Sequence, residues 1–231
     1  ILQKTPTTLE VRVEHHLNPR VTDKVRSRIR RCLMLDWDPR PALNIASTLD
    51  IRVADHLRSG GGRILRGSTF FEDFYKTLCT INTSWRNTVL MTSALVDRVG
   101  NGTAPSPMDI VTTGVAQLRR SAPLGYRAKV LFHSTKALLS RGILDINGEL
   151  LMPTLDRDQL LELHGIGPYG ADHLRVLQGD FSKIPYDSSV RRYLLDLARS
   201  NSDINDHLKR WGDFRFLAYS IGRALARAPQ P

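Results

Sequence analysis

Apolar residues recur at helical spacing along most of this 231-residue chain. After Thr22, a good helix cap, DKVRSRIRRCLML places Val25, Ile29, Cys32 and Leu33 on one face and arginines on the other. FFEDFYKTLCTI sets Phe71, Phe74, Tyr75 and Leu78 on a single stripe, which reads as a core face. SWRNTVLMTSALVDRVG predicts a helix ending at Gly100. Further helices are predicted over SPMDIVTTG, VAQLRRS, GYRAKVLFHSTKALLSR, TLDRDQLLELH, PYGADHLRVLQ, SSVRRYLLDLARS and DFRFLAYSIGRALAR, with breaks at SGGGR and NGTAPSP. Strand alternation occurs convincingly once, in TLEVRVEHHL, where Leu9, Val11 and Val13 alternate with polar residues. The expected class is all-α, a many-helix bundle with little sheet: an extended segment over residues 1–20, then a helical domain over 21–231.

Composition narrows the partner. Lys and Arg number 33 against 23 Asp and Glu, a net charge of +10, and only seven of the 33 are lysines. Such an excess serves solubility, but arginine also suits phosphate through its planar fork, so a polyanion is an expected partner. Cys32 and Cys79, the two cysteines, are too few for a four-thiolate zinc or iron–sulfur site. The seven histidines, His15, His16, His164 and His173 among them, show no helical metal spacing and read as surface or core residues. No apolar run reaches membrane-spanning length and the start does not read as a signal peptide, so a soluble, intracellular protein with no membrane partner is expected.

The sharpest ambiguity is LHGIGPYGADHL, in which Gly165, Gly167 and Gly170 have the G-x-G-x-x-G spacing of a dinucleotide loop, with Asp187 placed where a ribose-binding carboxylate would follow. A dinucleotide loop needs a buried strand before the first glycine. Here TLDRDQLLELH precedes it: Thr154 can cap, Asp156 and Asp158 suit a first helical turn, and β-branched residues are absent beyond the cap. The motif therefore joins helix to helix, a hairpin over residues 154–178. Glycines there let backbone N–H groups at a helix start approach a phosphate oxygen, and Pro168 fits the first turn. A plain glycine turn between packed helices is the structural alternative.

The hairpin followed by IPYDSSVRRYLLDL resembles the helix-hairpin-helix DNA glycosylase superfamily. FEDFYKTLCTINTSWRNTVLMTSALVDRVG and LGYRAKVLFHSTKAL resemble, in order, the segments that precede the hairpin there, so the likeness spans roughly residues 20 to 228. It implies an all-α fold in two lobes with a DNA-facing cleft, double-stranded DNA as partner, a monomer, and a nucleoid or nuclear setting. Asp187 takes the position of the catalytic aspartate, which stabilises an oxocarbenium-like sugar and helps activate water. Its simpler role is a helix cap, and the two are compatible. Family members that also cleave the strand carry a lysine four residues after the first hairpin glycine; Tyr169 stands there, which implies base removal without lyase activity. Lys183 reads as a solvated loop lysine.

The resemblance also assigns Gly165, Ile166, Gly167 and Gly170 to the DNA backbone, Asn82 to the gap left by a flipped base and Arg86 to the orphaned partner base. Tyr169, Tyr126, Tyr219 and Arg223 become base-pocket candidates. Trp85 reads as core, and Arg191 with Arg192 as either phosphate contacts or solubilising charge. The cysteines of the cluster-bearing branch are missing, which points to the branch nearer the 8-oxoguanine and 3-methyladenine enzymes. No cofactor is then required for catalysis, although a monovalent cation at the hairpin fits the resemblance. Of the N-terminal sheet lobe common in that branch only TLEVRVEHHL could remain, so the lobe is expected to be vestigial or to lie outside this sequence. A non-catalytic DNA-binding module that keeps only the hairpin is the alternative reading.

Overall fold

A computed structural model describes residues 2–5, 8–14, 16–200 and 204–226. His15 and the C-terminal Arg227 of the last predicted helix lie outside them. The chain begins with two short antiparallel strands, β1 (Leu2–Thr5) and β2 (Thr8–Glu10), paired Gln3 to Leu9. The predicted strand is thus cut short: Val11 and Val13 lie beyond β2, in irregular backbone.

Helix α1 (Pro19–Cys32) starts earlier than Thr22. Asn18 caps it by accepting from the Val21 N–H at 2.9 Å, Pro19 occupies the first turn, and the Thr22 hydroxyl bonds back to the Asn18 carbonyl. Two helices absent from the sequence reading follow, α2 (Arg40–Leu49) and α3 (Ile51–Arg58). Next come α4 (Phe70–Thr80), α5 (Trp85–Arg98), α6 (Pro107–Ser121) and α7 (Arg127–Ser140). Helix α6 is kinked at Gly114 (φ 69°), where the two separately predicted segments meet. The hairpin is α8 (Arg157–Leu161) and α9 (Pro168–Leu177). Asp156, not Thr154, caps α8, in a reciprocal box with Gln159. The chain ends with α10 (Ser188–Ser200), the unanticipated α11 (Ile204–Arg210), a 3-10 turn at Gly212–Phe214 and α12 (Arg215–Leu225).

The helices bury two separate cores. The first joins α4 to α9: the Phe71, Phe74, Tyr75 and Leu78 stripe packs with Leu95, Ile110, Leu118, Leu131, Leu160 and Leu174. The second brings the two ends of the chain together, with Met34, Ala46, Val53 and Leu57 against Phe181, Trp211, Leu217 and Ile221. Helix α9 divides its faces between them, since Leu174 belongs to the first core and Val176 to the second. A half-buried ion pair ties α1 to the start of α4: Arg31 donates to the almost fully buried Asp73 at 2.6 Å, and Asp73 also accepts from the Gly67 N–H at 2.6 Å. Desolvation pushes the Asp73 carboxyl up, and Arg31 opposes that shift. Among the described residues no helix is long and apolar enough to cross a membrane.

Candidate active site

The three hairpin glycines do three different things. Gly165 has φ +83°, a left-handed conformation, and a Cβ there would fall well inside 3.0 Å of Val130 on α7, so it permits the turn and its close approach. Gly170 is buried, with Ile166 and Ile81 each 3.3 Å from where its Cβ would be. Its Cα therefore serves packing, which corrects a purely DNA-facing reading of this residue. Gly167 alone is exposed with nothing within 4 Å of a Cβ position, and its backbone is ordinary (φ −94°). It starts α9 without a side-chain cap, and among the described residues no hydrogen-bond acceptor meets the N–H groups of Gly167, Tyr169 and Gly170. A helix start with free amides carries partial positive charge and is a ready anion site. Ile166 is buried, and only its backbone can face a ligand. In the turn from Leu163 to Ile166 the Leu163 carbonyl accepts from the Ile166 N–H at 3.0 Å and the His164 carbonyl from the Ser134 hydroxyl at 2.8 Å.

The α4–α5 turn lies beside the hairpin, because Ile81 touches Gly170. Asn82 is exposed at its tip with φ +49°. Arg127 braces the turn from α7, its guanidinium donating to the Ile81 carbonyl and, at 3.2 Å, to the Asn82 carbonyl. Arg127 was not singled out from sequence, where GYRA served only as a family marker. Arg86 is exposed in the first turn of α5, as expected for a residue that could meet a ligand. Trp85 is 77% exposed, so the core reading is wrong: it is the first residue of α5, and no part of the core lies over it. Tyr126 stands apart from the other pocket candidates. It is 55% exposed at the start of α7, lies 4.7 Å from the Arg127 guanidinium, and shares no ring or ion contact with the cluster below.

That cluster forms around Asp187. The carboxylate caps α10, accepting from the Val190 N–H at 2.7 Å through Oδ1, while its backbone carbonyl accepts from Arg191 at 2.9 Å. The Oδ1 oxygen is thereby fixed. Asp187 lies close enough to Tyr169 and His173 that its charge raises the proton affinity of both. These two, one helical turn apart on α9, stack with ring centroids 5.8 Å apart and planes 11° apart. Burial holds the half-buried His173 imidazole below its usual range, against the Asp187 charge, and burial raises the Tyr169 phenol. At neutral pH the pair presents an uncharged aromatic wall, the imidazole with one donor and one acceptor. His173 was missed from sequence because a single histidine carries no pattern; its spacing of four from Tyr169 was the available signal.

Tyr219 and Arg223 complete the arrangement on α12. The Arg223 guanidinium donates to the Tyr219 hydroxyl at 2.7 Å, and Tyr193 of α10 meets the Tyr219 ring edge-on at 5.4 Å. Tyr219 also acts electrostatically on Tyr169, so the two phenols lie near one another. Arg191 and Arg192 are exposed on α10 beyond Asp187.

This is the fold of the helix-hairpin-helix DNA glycosylases. One similar solved structure is MBOgg1 in complex with a low-affinity DNA ligand, 21% identical, with TM-score 0.66 over 91% of this chain and 78% of that one. The 8-oxoguanine glycosylase/lyase of Clostridium acetobutylicum in its apo form is 18% identical, with TM-score 0.65 over 89% and 76%. The 3-methyladenine DNA glycosylase of Archaeoglobus fulgidus is 18% identical, with TM-score 0.64 over 92% and 79%. No protein-family model and no curated protein matches the sequence.

Proposed function

We propose that this protein is a DNA glycosylase that takes one modified base out of duplex DNA and hydrolyses its N-glycosidic bond with water as the nucleophile. The observation that carries the reading is the Asp187 carboxylate, held by an α10 amide at 2.7 Å and facing the Tyr169–His173 stack just behind the hairpin's free amides. In this reading the α9 amides hold a phosphate, Asn82 fills the gap in the base stack, and Arg86 meets the orphaned base. The flipped base rests against Tyr169 and His173. As the bond from sugar to base breaks, the base leaves with the bonding electrons and positive charge grows on the sugar. Asp187 stabilises that charge and accepts a proton from the water that bonds to the anomeric carbon. A monovalent cation in the Leu163–Ile166 turn would hold the hairpin carbonyls together and add positive charge behind the phosphate. Tyr169, standing where a lysine would be needed for a Schiff base, supports base removal without strand cleavage.

The test is a panel of duplexes, each with one modified base, incubated with protein and then cleaved at abasic sites with hot alkali. Asp187→Asn keeps the α10 cap, since Asn caps as well as Asp, and is expected to lose at least about a hundredfold in rate while keeping DNA affinity. Full activity in that variant refutes the assignment. A covalent protein–DNA adduct on borohydride treatment refutes the water mechanism. Binding without base release across the panel favours the non-catalytic module.

A further inference from the structure

Helices α4 and α9 run antiparallel. The residue after α4, Ile81, meets Gly170 at the start of α9, while Phe70 at the start of α4 lines a common cavity with Leu177 at the end of α9. The hairpin and the Asn82 turn therefore share one end of this pair. The other end, roughly 15 Å away by helix length, is crossed by α1, which reaches Asp73 and the Gly67 carbonyl through Arg31.

Helix α1 carries Arg20, Lys24, Arg26, Arg28, Arg30 and Arg31 and a single acid, Asp23. Asp23 lies 3.2 Å from Arg26, and Arg31 is committed to Asp73. Arg20, Lys24 and Arg30 are exposed, and among the described residues no carboxylate lies within ion-pair distance of them. Arg28 is half-buried, its Nε has no partner, and together with Lys24 and Arg31 it acts on Glu149. Arg20, Lys24, Arg28 and Arg31 recur about once per turn, so they form a line along the helix axis. The apolar residues Val25 and Ile29 face a groove of about 590 Å³ shared with Leu9, Val11 and Val13, which Arg26 and Arg30 also line.

We propose that α1 is a second surface for the backbone of duplex DNA, separate from the hairpin face. A duplex presents a continuous line of phosphates, one negative charge per about 1.7 Å of axis, which the exposed Arg20, Lys24 and Arg30 of α1 can meet, while Arg28 and Arg31 are turned to Glu149 and Asp73. In the proposal each face, at its own end of α4 and α9, holds its own segment, so that the protein passes between segments without leaving DNA.

The experiment ties a duplex of about 20 base pairs, containing a stable abasic-site analogue, to beads, adds protein, and then offers a labelled unmodified duplex of the same length. Wild-type protein captures the second duplex at one protein per two duplexes. The triple variant Arg20→Gln, Lys24→Gln, Arg30→Gln stays on the beads but captures at least tenfold less. Loss of about three phosphate contacts also flattens its salt response, by about 40-fold between 50 and 200 mM. No second capture by wild type, equal capture by the variant, or two proteins per two duplexes each overturns the proposal, as does binding to anionic vesicles without duplex capture. If wild type does not stay on the beads, the hairpin reading fails instead. The α1 face then stands only if the triple substitution abolishes duplex binding in solution.

Discussion

Replacing Gly165 and Gly167 by alanine, one at a time, separates the two tasks that the hairpin combines. At Gly165 the new methyl group meets Val130 Cγ1 well inside 3.0 Å, and Val130 is itself only 6% exposed, packed in the first core. Overpacking costs about 1–3 kcal/mol, and a left-handed φ of +83° costs an alanine about 1–2 kcal/mol more. Reduced freedom of the unfolded chain returns about 0.5–1 kcal/mol. The expected loss is about 2–4 kcal/mol, a fall in Tm of roughly 4–16 °C for a chain of this size. At Gly167 the backbone is in a region open to any residue and nothing lies within 4 Å. Stability should stay within about 0.5 kcal/mol. The methyl group does, however, stand in front of the free α9 amides, and losing a hydrogen bond to a charged phosphate costs about 1.5–3 kcal/mol, about ten- to a hundredfold in Kd. Thermal unfolding and fluorescence anisotropy on a duplex with an abasic analogue read the two effects separately. A Gly167→Ala variant that binds as tightly as wild type would refute the anion-site assignment, and a Gly165→Ala variant of wild-type stability would refute the packing argument.

Three other outcomes follow from the geometry. Trp85 is exposed whereas Trp211 is buried and Trp37 half-buried, so duplex binding should quench tryptophan emission mainly through Trp85; in Trp85→Ala the quench disappears with Tm unchanged, and unaltered wild-type emission on binding would exclude contact there. His173 has its folded pKa below the ordinary 6.5, so the unfolded chain binds the extra proton: stability is full above about pH 6.5 and falls as pH drops toward the folded pKa, by at most about 1.4 kcal/mol per pH unit. His173→Gln should flatten that decline in urea titrations taken at several pH values, and parallel curves would count against a buried neutral imidazole. Asp73→Asn leaves the Arg31 guanidinium half-buried without its carboxylate and should destabilise by about 3 kcal/mol; a loss under about 1 kcal/mol would mean that solvent screens the pair.

Helix α4 was legible in the sequence because Phe71, Phe74, Tyr75 and Leu78 fall on one side at every turn and all four are buried. Helices α2 and α3 were not. RPALNIASTLD mixes Pro, Asn, Ser and Thr into eleven residues, and Asp50 ends one helix and caps the next, so neither boundary carries a signal of its own. Trp85 was misread because apolar character tells that a residue prefers burial but not whether anything covers it. It stands three residues before the buried Thr88, in phase with the packed face, yet at the first position of α5. Asp187 was legible from its place after a proline and before two serines at a helix start, and its partner His173 was not, since the contact depends on how α9 and α10 are set side by side.

Spacing alone made the glycine triplet ambiguous because Gly165, Gly167 and Gly170 are three separate solutions that happen to share the intervals of a dinucleotide loop. What separates the readings is the charge each helix start is left to find. Helix α10 carries its own anion, Asp187, locked by Val190. Helices α4, α6 and α8 carry Glu72, Asp109 and Asp158 in their first turns. Helix α9 has no acid in its first turn and no capping side chain, and it begins on a glycine with open space before it. Its exposed positive end is open to the anion that the proposed function places there, and Asp187 at the start of α10 acts on Tyr169 and His173 of α9. In the proposed function a phosphate at α9 would bring the adjoining sugar toward Asp187, so the hairpin and the aspartate would act as one site.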